Sequence, residues 1–108
     1  MQTIVQVICS GRASLREAIV NDKKLEDYGM KVSSQKTPGR NPGWAKIHST
    51  DDDVPGAINL SWDSNANILS CRIIAKSANK PADLAGILVA YLLARFRKRI
   101  KAIGVMPD

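Results

Sequence analysis

The sequence predicts a single α+β domain over residues 1–108, with two helices packed on one face of an antiparallel sheet of about four strands. Three observations support this fold class. An apolar, β-branched segment opens the chain, turn signals separate several further segments of that kind, and a long helical pattern closes it. The elements follow in the order β-α-(β)-β-β-β-α, where the bracketed strand is optional. A content of 44% apolar and 24% charged residues is that of a globular protein and excludes a disordered chain.

The first element is a strand over residues 2–9. Its apolar side chains alternate between two faces, with Ile4 and Ile8 on one face and Val5, Val7 and Cys9 on the other. Because both faces are apolar, we expect an interior strand that is covered on both sides.

The first helix is predicted to run from about residue 14 to residue 28. Ser14 and Glu17 have the spacing of a capping box, in which each side chain satisfies a backbone amide at the start of the helix. Apolar residues then recur at helical spacing. Gly29 is the expected C-cap, because glycine adopts the left-handed conformation there at little cost.

Turn-rich segments divide the middle of the chain. Residues 30–33 form the optional strand, and two Pro-Gly pairs within residues 37–43 indicate a loop. A strand is expected at residues 44–49. Segments 57–63 and 68–75 then predict a β-hairpin, because apolar and polar side chains alternate along them. One face of the hairpin is apolar (Ile58, Leu60, Trp62, Leu69, Cys71 and Ile73), and the other is polar (Asn59, Ser61, Ser70 and Arg72).

The last predicted element is one long helix over residues 81–101. Pro81 suits its first turn, and Gly104 is expected to follow its end. The first two-thirds of this segment are almost wholly apolar. Its last two turns carry five cations, namely Arg95, Arg97, Lys98, Arg99 and Lys101. One or two cations would complement the helix dipole, whereas five in so short a segment point to a polyanionic partner.

The formal net charge of +6 is unevenly distributed. Residues 1–50 carry eight Lys or Arg against four acids, residues 51–70 carry four Asp and no Lys or Arg, and residues 71–108 carry eight against two. A positive excess of this kind favours nucleic acid, an acidic protein or an anionic surface as the partner. The same charge is also compatible with a role in solubility only.

The leading functional prediction is a small, non-catalytic protein that binds DNA or RNA. The five cations of the last helix would contact phosphates. They would be assisted by three residues from the loop at 37–43 and the strand at 44–49, namely Arg40, Trp44 and Lys46. Strand alternation puts Trp44, Lys46 and His48 on one face, where an aromatic ring beside a cation can stack a base and hold a phosphate. The competing interpretation is that these side chains are simply solvated.

Two other functions stay open. A protein-interaction or homo-oligomeric module would use the flank of the last helix, where Ile87 and Tyr91 widen the apolar stripe. A hydrolase or transferase would use His48, the only histidine in the sequence, together with one of the aspartates at positions 51–53. This third hypothesis requires His48 to lie in a concave pocket.

The sequence predicts neither a cofactor nor a metal site. Residues 63–67 match the first three ligand positions of a calcium loop, but Ile68 and Ile74 stand where that loop needs glycine and glutamate. Cys9 and Cys71 are expected to be reduced, buried thiols of a cytoplasmic protein. No apolar run reaches the length of a membrane span and the first residues lack signal-peptide features, so no membrane association is expected.

Overall fold

The computed structural model describes residues 2–35, 38–39, 42–75 and 81–107, which fold into an α+β domain. The strands are β1 (Gln2–Cys9), β2 (Met30–Gln35), β3 (Trp44–Ser49), β4 (Gly56–Asp63), β5 (Ile68–Ala75) and β6 (Ile100–Pro107). The helices are α1 (Leu15–Val20), a first 3₁₀ helix (Lys23–Tyr28), α2 (Pro81–Phe96) and a second 3₁₀ helix (Arg97–Arg99). The predicted fold class is confirmed.

These strands form one antiparallel sheet in the order β2-β3-β4-β5-β1-β6. The predicted hairpin is the β4–β5 pair, in which Ile58 lies opposite Ile73 and Leu60 lies opposite Cys71. The sheet has six strands where about four were expected, because the optional strand forms as β2 and the chain returns to the sheet as β6. β1 is an interior strand, as predicted, since β5 and β6 flank it.

A hydrophobic core fills the space between the sheet and the helices. It consists of every second side chain of the strands together with the inner face of α2. Its fully buried members include Val5, Leu60, Ile73, Leu88 and Tyr91. Burying one large apolar side chain stabilises a fold by about 1.5–3 kcal/mol, so this face of the sheet carries most of the stability of the domain.

Among the described residues, helices pack on only one face of β1, which corrects the expectation of burial on both sides. Val5 and Val7 are fully buried, whereas Ile8 on the opposite face is 41% exposed. The reason is that α1 and α2 pack on the same side of the sheet. Ile4 and Ile8 therefore face away from the core.

The first helical region is broken in two, where the sequence predicted one continuous helix. Ser14 caps α1 by accepting a hydrogen bond from the Glu17 amide at 3.1 Å, which is one of the two bonds of the predicted capping box. The Glu17 carboxylate instead lies 3.5 Å from the Arg16 guanidinium. Asp22 then takes an extended conformation, and its carboxylate accepts the Lys24 amide at 3.0 Å. This side-chain bond competes with helix continuation and starts the first 3₁₀ helix. Gly29 ends it with φ +79°, as expected of a left-handed C-cap.

The predicted helix over residues 81–101 is wrong at its C-terminal end. α2 stops at Phe96, the second 3₁₀ helix covers one further turn, and β6 follows. Lys101 therefore lies in a strand, and Gly104 lies inside that strand instead of following a helix.

β6 forms because it completes the hydrogen bonding of β1. Val7 lies opposite Ile103 and Val5 lies opposite Val105 along this antiparallel pair. Ile103 packs against the core, and its β-branched side chain fits a pleated strand well. Pairing with the first strand of the chain thus overrides the local helical pattern.

Candidate nucleic-acid interface

The face of the sheet opposite α1 and α2, here the open face, presents every second strand residue to solvent. The strand register aligns these residues in rows across the sheet. The first row runs from β3 to β6 through Lys46, Asn59, Arg72, Ile4 and Met106. The second row crosses the same strands through Trp44, Ser61, Ser70, Gln6 and Gly104. Neighbouring strands are about 4.8 Å apart, so each row joins residues from across the sequence within about 20 Å.

A shallow groove of about 520 Å³ lies over these two rows. All of their residues except Lys46 and Gly104 line it. Trp44 is half-buried at the β3 end of the groove, and Arg72 is exposed to solvent near its middle. The groove therefore combines an aromatic ring and a cation on one surface.

The remaining polar groups of the groove are neutral amides and hydroxyls, supplied by Gln6, Asn59, Ser61 and Ser70. An indole ring can stack on a nucleobase, and a guanidinium can bind a phosphate with two parallel hydrogen bonds. Amides and hydroxyls can pair with base edges or with sugar hydroxyls. These are the kinds of group that proteins use to contact the base, the sugar and the phosphate of an exposed nucleotide.

Strand alternation predicts only part of this groove. It puts Trp44 and Lys46 together on a binding surface, whereas it places Asn59 and Arg72 only on the polar face of a hairpin. The sequence signal for Asn59 and Arg72 is the alternation of polar residues along the two strands of that hairpin. The register that puts Arg72 two strands from Lys46 depends on pairing across β3, β4 and β5, which alternation within one strand does not specify.

Trp44, Lys46 and His48 share the open face of β3, as strand alternation predicts. His48 lies in a second pocket, of about 390 Å³, which Lys46 and Asp51 also line. Ser33 Oγ and His48 Nδ1 are hydrogen-bonded there. His48 thus meets the condition of a concave pocket that the hydrolase hypothesis sets.

Arg95, one of the five predicted phosphate contacts, is engaged within the domain. Its Nε and Nη2 atoms donate to the two carboxylate oxygens of Asp22 at 3.0 and 3.1 Å. The Tyr91 hydroxyl donates to the same carboxylate at 2.8 Å. The Asp22 side chain is only 7% exposed, and the hydrogen bonds from Arg95 hold the pKa of its carboxyl below the ordinary value. The Arg95 charge is therefore largely neutralised by its partner.

Arg99 is partly engaged as well. Its Nη2 atom donates to the Ala13 carbonyl at 2.8 Å, and its guanidinium lies 6.0 Å from the centroid of the Phe96 ring. The Ser10 amide donates to the Arg99 carbonyl at 2.9 Å. These contacts fasten the end of α2 to the loop after β1, so Arg99 has a structural role in addition to its charge.

The other three cations, Arg97, Lys98 and Lys101, are exposed, and we call them the basic segment. Arg97 makes one long hydrogen bond, from its Nε to the Leu93 carbonyl at 3.4 Å. In the part of the chain that the structure describes, none of the three forms an ion pair. Their charges are therefore available to an anionic partner.

The predicted contact residues form two separate groups. Trp44 and Lys46 lie on β3, whereas the basic segment adjoins β6. Four inter-strand spacings, or about 19 Å, separate these strands. Arg40, the remaining predicted contact, lies outside the described residues.

No protein-family model matches the chain, and no curated protein or solved structure matches it. Within the described ranges, no helix is both long and apolar enough to cross a membrane. In the same ranges, no group of three or more His, Cys, Asp or Glu side chains is placed to hold a metal ion. The geometry of the open face and of the basic segment is therefore the basis for assigning a function.

Proposed function

We propose that the protein is a non-catalytic nucleic-acid-binding domain that takes a single strand of DNA or RNA across the open face of its sheet. The alignment of Trp44, Lys46 and Arg72 on that face carries the proposal. Stacking on an aromatic ring contributes about 1–3 kcal/mol per base, which makes Trp44 the main source of affinity within the groove. Lys46 and Arg72 lie in the row next to that of the ring and would hold nearby phosphates.

A single strand fits this surface better than a duplex. A duplex keeps its bases stacked on one another, so it offers no base face to the Trp44 ring. The unstacked bases of a single strand can turn toward the sheet and use the amides and hydroxyls of the groove.

The charges around the open face favour one path for the strand. The acidic turn at Asp51 and Asp52 lines the second pocket beside His48, at one end of β3. The basic segment adjoins the opposite edge of the sheet, at β6. Phosphates would be repelled by the first and attracted by the second. The strand would therefore cross the sheet from Trp44 on β3 toward the basic segment beside β6.

Fluorescence anisotropy tests this proposal with three labelled probes of matched sequence: single-stranded DNA, single-stranded RNA and duplex DNA, each titrated across a salt series. We expect tighter binding of a single strand than of the duplex. The logarithm of the association constant should fall with the logarithm of salt concentration by about 0.7 for each phosphate contact. Absence of binding at low salt would overturn the proposal.

Variants separate the stacking and phosphate contributions. Trp44→Ala and Arg72→Ala should both weaken binding, whereas Lys24→Ala removes one exposed charge from the first 3₁₀ helix and should not. If Arg97→Ala and Lys98→Ala weaken binding while Trp44→Ala does not, the basic segment binds phosphate and the open face is not the interface.

One observation favours a second candidate function, a hydrolase or transferase. Ser33 and His48 are hydrogen-bonded inside the second pocket, and such a pair can act as nucleophile and general base. Chromogenic ester and phosphodiester substrates test it. Turnover that is lost in both Ser33→Ala and His48→Ala would establish the activity, and no turnover by the wild-type protein would remove this candidate.

A further inference from the structure

β6 is an edge strand with few of the features that protect such edges from pairing. It is eight residues long, and residues 102–106 contain neither a charge nor a proline. Val105 and Met106 are 51% and 42% exposed. Monomeric proteins usually protect an exposed edge with charges, prolines, bulges or a covering element. Here a register shift near Lys101 and a proline at position 107 occur only at the ends of the strand.

An apolar groove of about 340 Å³ lies beside this edge, on the helix side of the sheet. Val105 contributes one wall from β6, and Gly86 and Val89 contribute the other from α2. Among the residues that the structure describes, no strand pairs with the outer edge of β6, and the groove joins this edge to α2 in one continuous apolar surface.

The outer face of α2 extends this surface. Between Pro81 and Ala94 the helix carries one charged residue, Asp83. A surface helix of a monomer normally presents a polar face to solvent. Tyr91, expected on the outer flank, is instead fully buried. The exposed side of the helix carries small residues, Ala82, Gly86 and Ala90, which permit close approach of a partner.

We propose that this α2–β6 surface, formed by residues 82–90 and 102–106, binds a second copy of the chain. Two β6 strands would pair antiparallel about a twofold axis. Their pairing would join two six-stranded sheets into one of twelve strands and would cover both apolar grooves.

A second copy fits because the surface is self-complementary. A twofold axis makes two identical strand edges antiparallel, so each edge supplies the donors and acceptors that the other needs. The same axis makes the two α2 helices antiparallel. The end of one α2 helix that carries Asp83 then lies toward the C-terminal end of the other, which Arg97 and Lys98 follow in the second 3₁₀ helix, so opposite charges face one another along the pair.

Light scattering coupled to size exclusion tests the proposal on the full chain without nucleic acid. The wild-type protein should elute at twice the chain mass of 11.8 kDa. Gly86→Glu should elute at the monomer mass, because it introduces a charged side chain into the interface. A Cβ at Gly86 meets no atom within 4 Å, so the monomer accommodates this change. Val105→Lys on the other element of the surface should give the same result.

Gly11→Glu is the matched control. It adds the same charge at a loop glycine where a Cβ likewise meets no atom within 4 Å, and this variant should remain dimeric. Circular dichroism verifies that each variant is folded. A wild-type monomer at the highest concentration measured, a larger assembly, or a dimer that persists in both Gly86→Glu and Val105→Lys would overturn the proposal.

Discussion

The two faces of the sheet differ sharply, although both are drawn from the same strands. On the covered face Val5, Leu60 and Ile73 are fully buried against the helices. On the open face Ser61 and Arg72, their neighbours in sequence, are exposed beside a groove of about 520 Å³. Because successive strand residues point to opposite faces, one strand can supply the core and a binding surface at once.

This difference separates two kinds of substitution effect. Changes on the covered face should alter the free energy of unfolding, because they create cavities in a closely packed layer. Changes on the open face should leave that free energy nearly unchanged and alter binding instead. A substitution that affects both quantities strongly would show that the faces are not independent.

The largest expected effect is on stability. Leu88 is fully buried on α2, so Leu88→Ala should lower the free energy of unfolding by about 2–5 kcal/mol through lost burial and the cavity left behind. Ser61→Ala on the open face is the control and should change it by less than about 0.5 kcal/mol. Urea denaturation measures both, and equal losses would contradict the division between the faces.

Asp22 provides the next test, because it ties α2 to the region between α1 and the first 3₁₀ helix. Asp22→Asn weakens its bonds from Arg95 and Tyr91, and should cost about 1–3 kcal/mol at neutral pH. The folded-state pKa of Asp22 is lowered, so its ionic contribution is present above the unfolded pKa of about 3.9 and is lost as pH falls through the folded value.

The measurement for Asp22 is the difference in unfolding free energy between the wild-type protein and Asp22→Asn as a function of pH. This difference should shrink on acidification. Asp52→Asn, at an exposed aspartate, serves as the control and should show little difference at any pH. A difference for Asp22→Asn that stays constant into strong acid would show that the carboxylate charge has no part in the contact.

Binding effects should follow on the open face. Trp44→Ala should weaken single-strand binding roughly tenfold to hundredfold, which corresponds to the loss of one base stack. Fluorescence anisotropy measures the change, and circular dichroism verifies that the variant is folded. An unchanged affinity would remove Trp44 from the interface.

The smallest expected effect is a change in the salt dependence of binding. It should differ between a cation that is exposed and one that is paired within the domain. Lys98→Ala should flatten the salt dependence of single-strand binding by about 0.7, because an exposed charge is lost. Arg95→Ala should hardly change it, because Asp22 already pairs with that guanidinium. Equal changes in slope would show that the Arg95–Asp22 pair opens on binding.

The parts of the fold that the sequence could predict are those that local alternation specifies. β3 and the β4–β5 hairpin follow from such patterns, because one covered and one open face impose a period of two. β6 does not, since Phe96 and Ile100 continue the apolar spacing of α2 and only pairing with β1 selects a strand. The break at Asp22 likewise depends on a side chain that bonds its local backbone.

The residues of the candidate site likewise include some that local patterns predict and others that only long-range contacts bring into place. Alternation within one strand puts Trp44 and Lys46 together, so the sequence could predict that pair. The position of Arg72 beside them depends on pairing across three strands. The neutralisation of Arg95 depends on Asp22, which is 73 residues away in the chain. Long-range contacts of this kind decide which charges remain available, and local patterns do not encode them.

Binding on the open face is tested most directly with the two tryptophans, one on each face of the sheet. Trp62→Phe leaves Trp44 as the reporter on the open face, and Trp44→Phe leaves Trp62 on the covered face. Each variant is titrated with an unlabelled single-stranded oligonucleotide while tryptophan emission is followed. Stacking of a base on Trp44 should quench the emission of Trp62→Phe and leave that of Trp44→Phe unchanged. Quenching of Trp62 in place of Trp44, or equal quenching of both, would contradict binding on the open face.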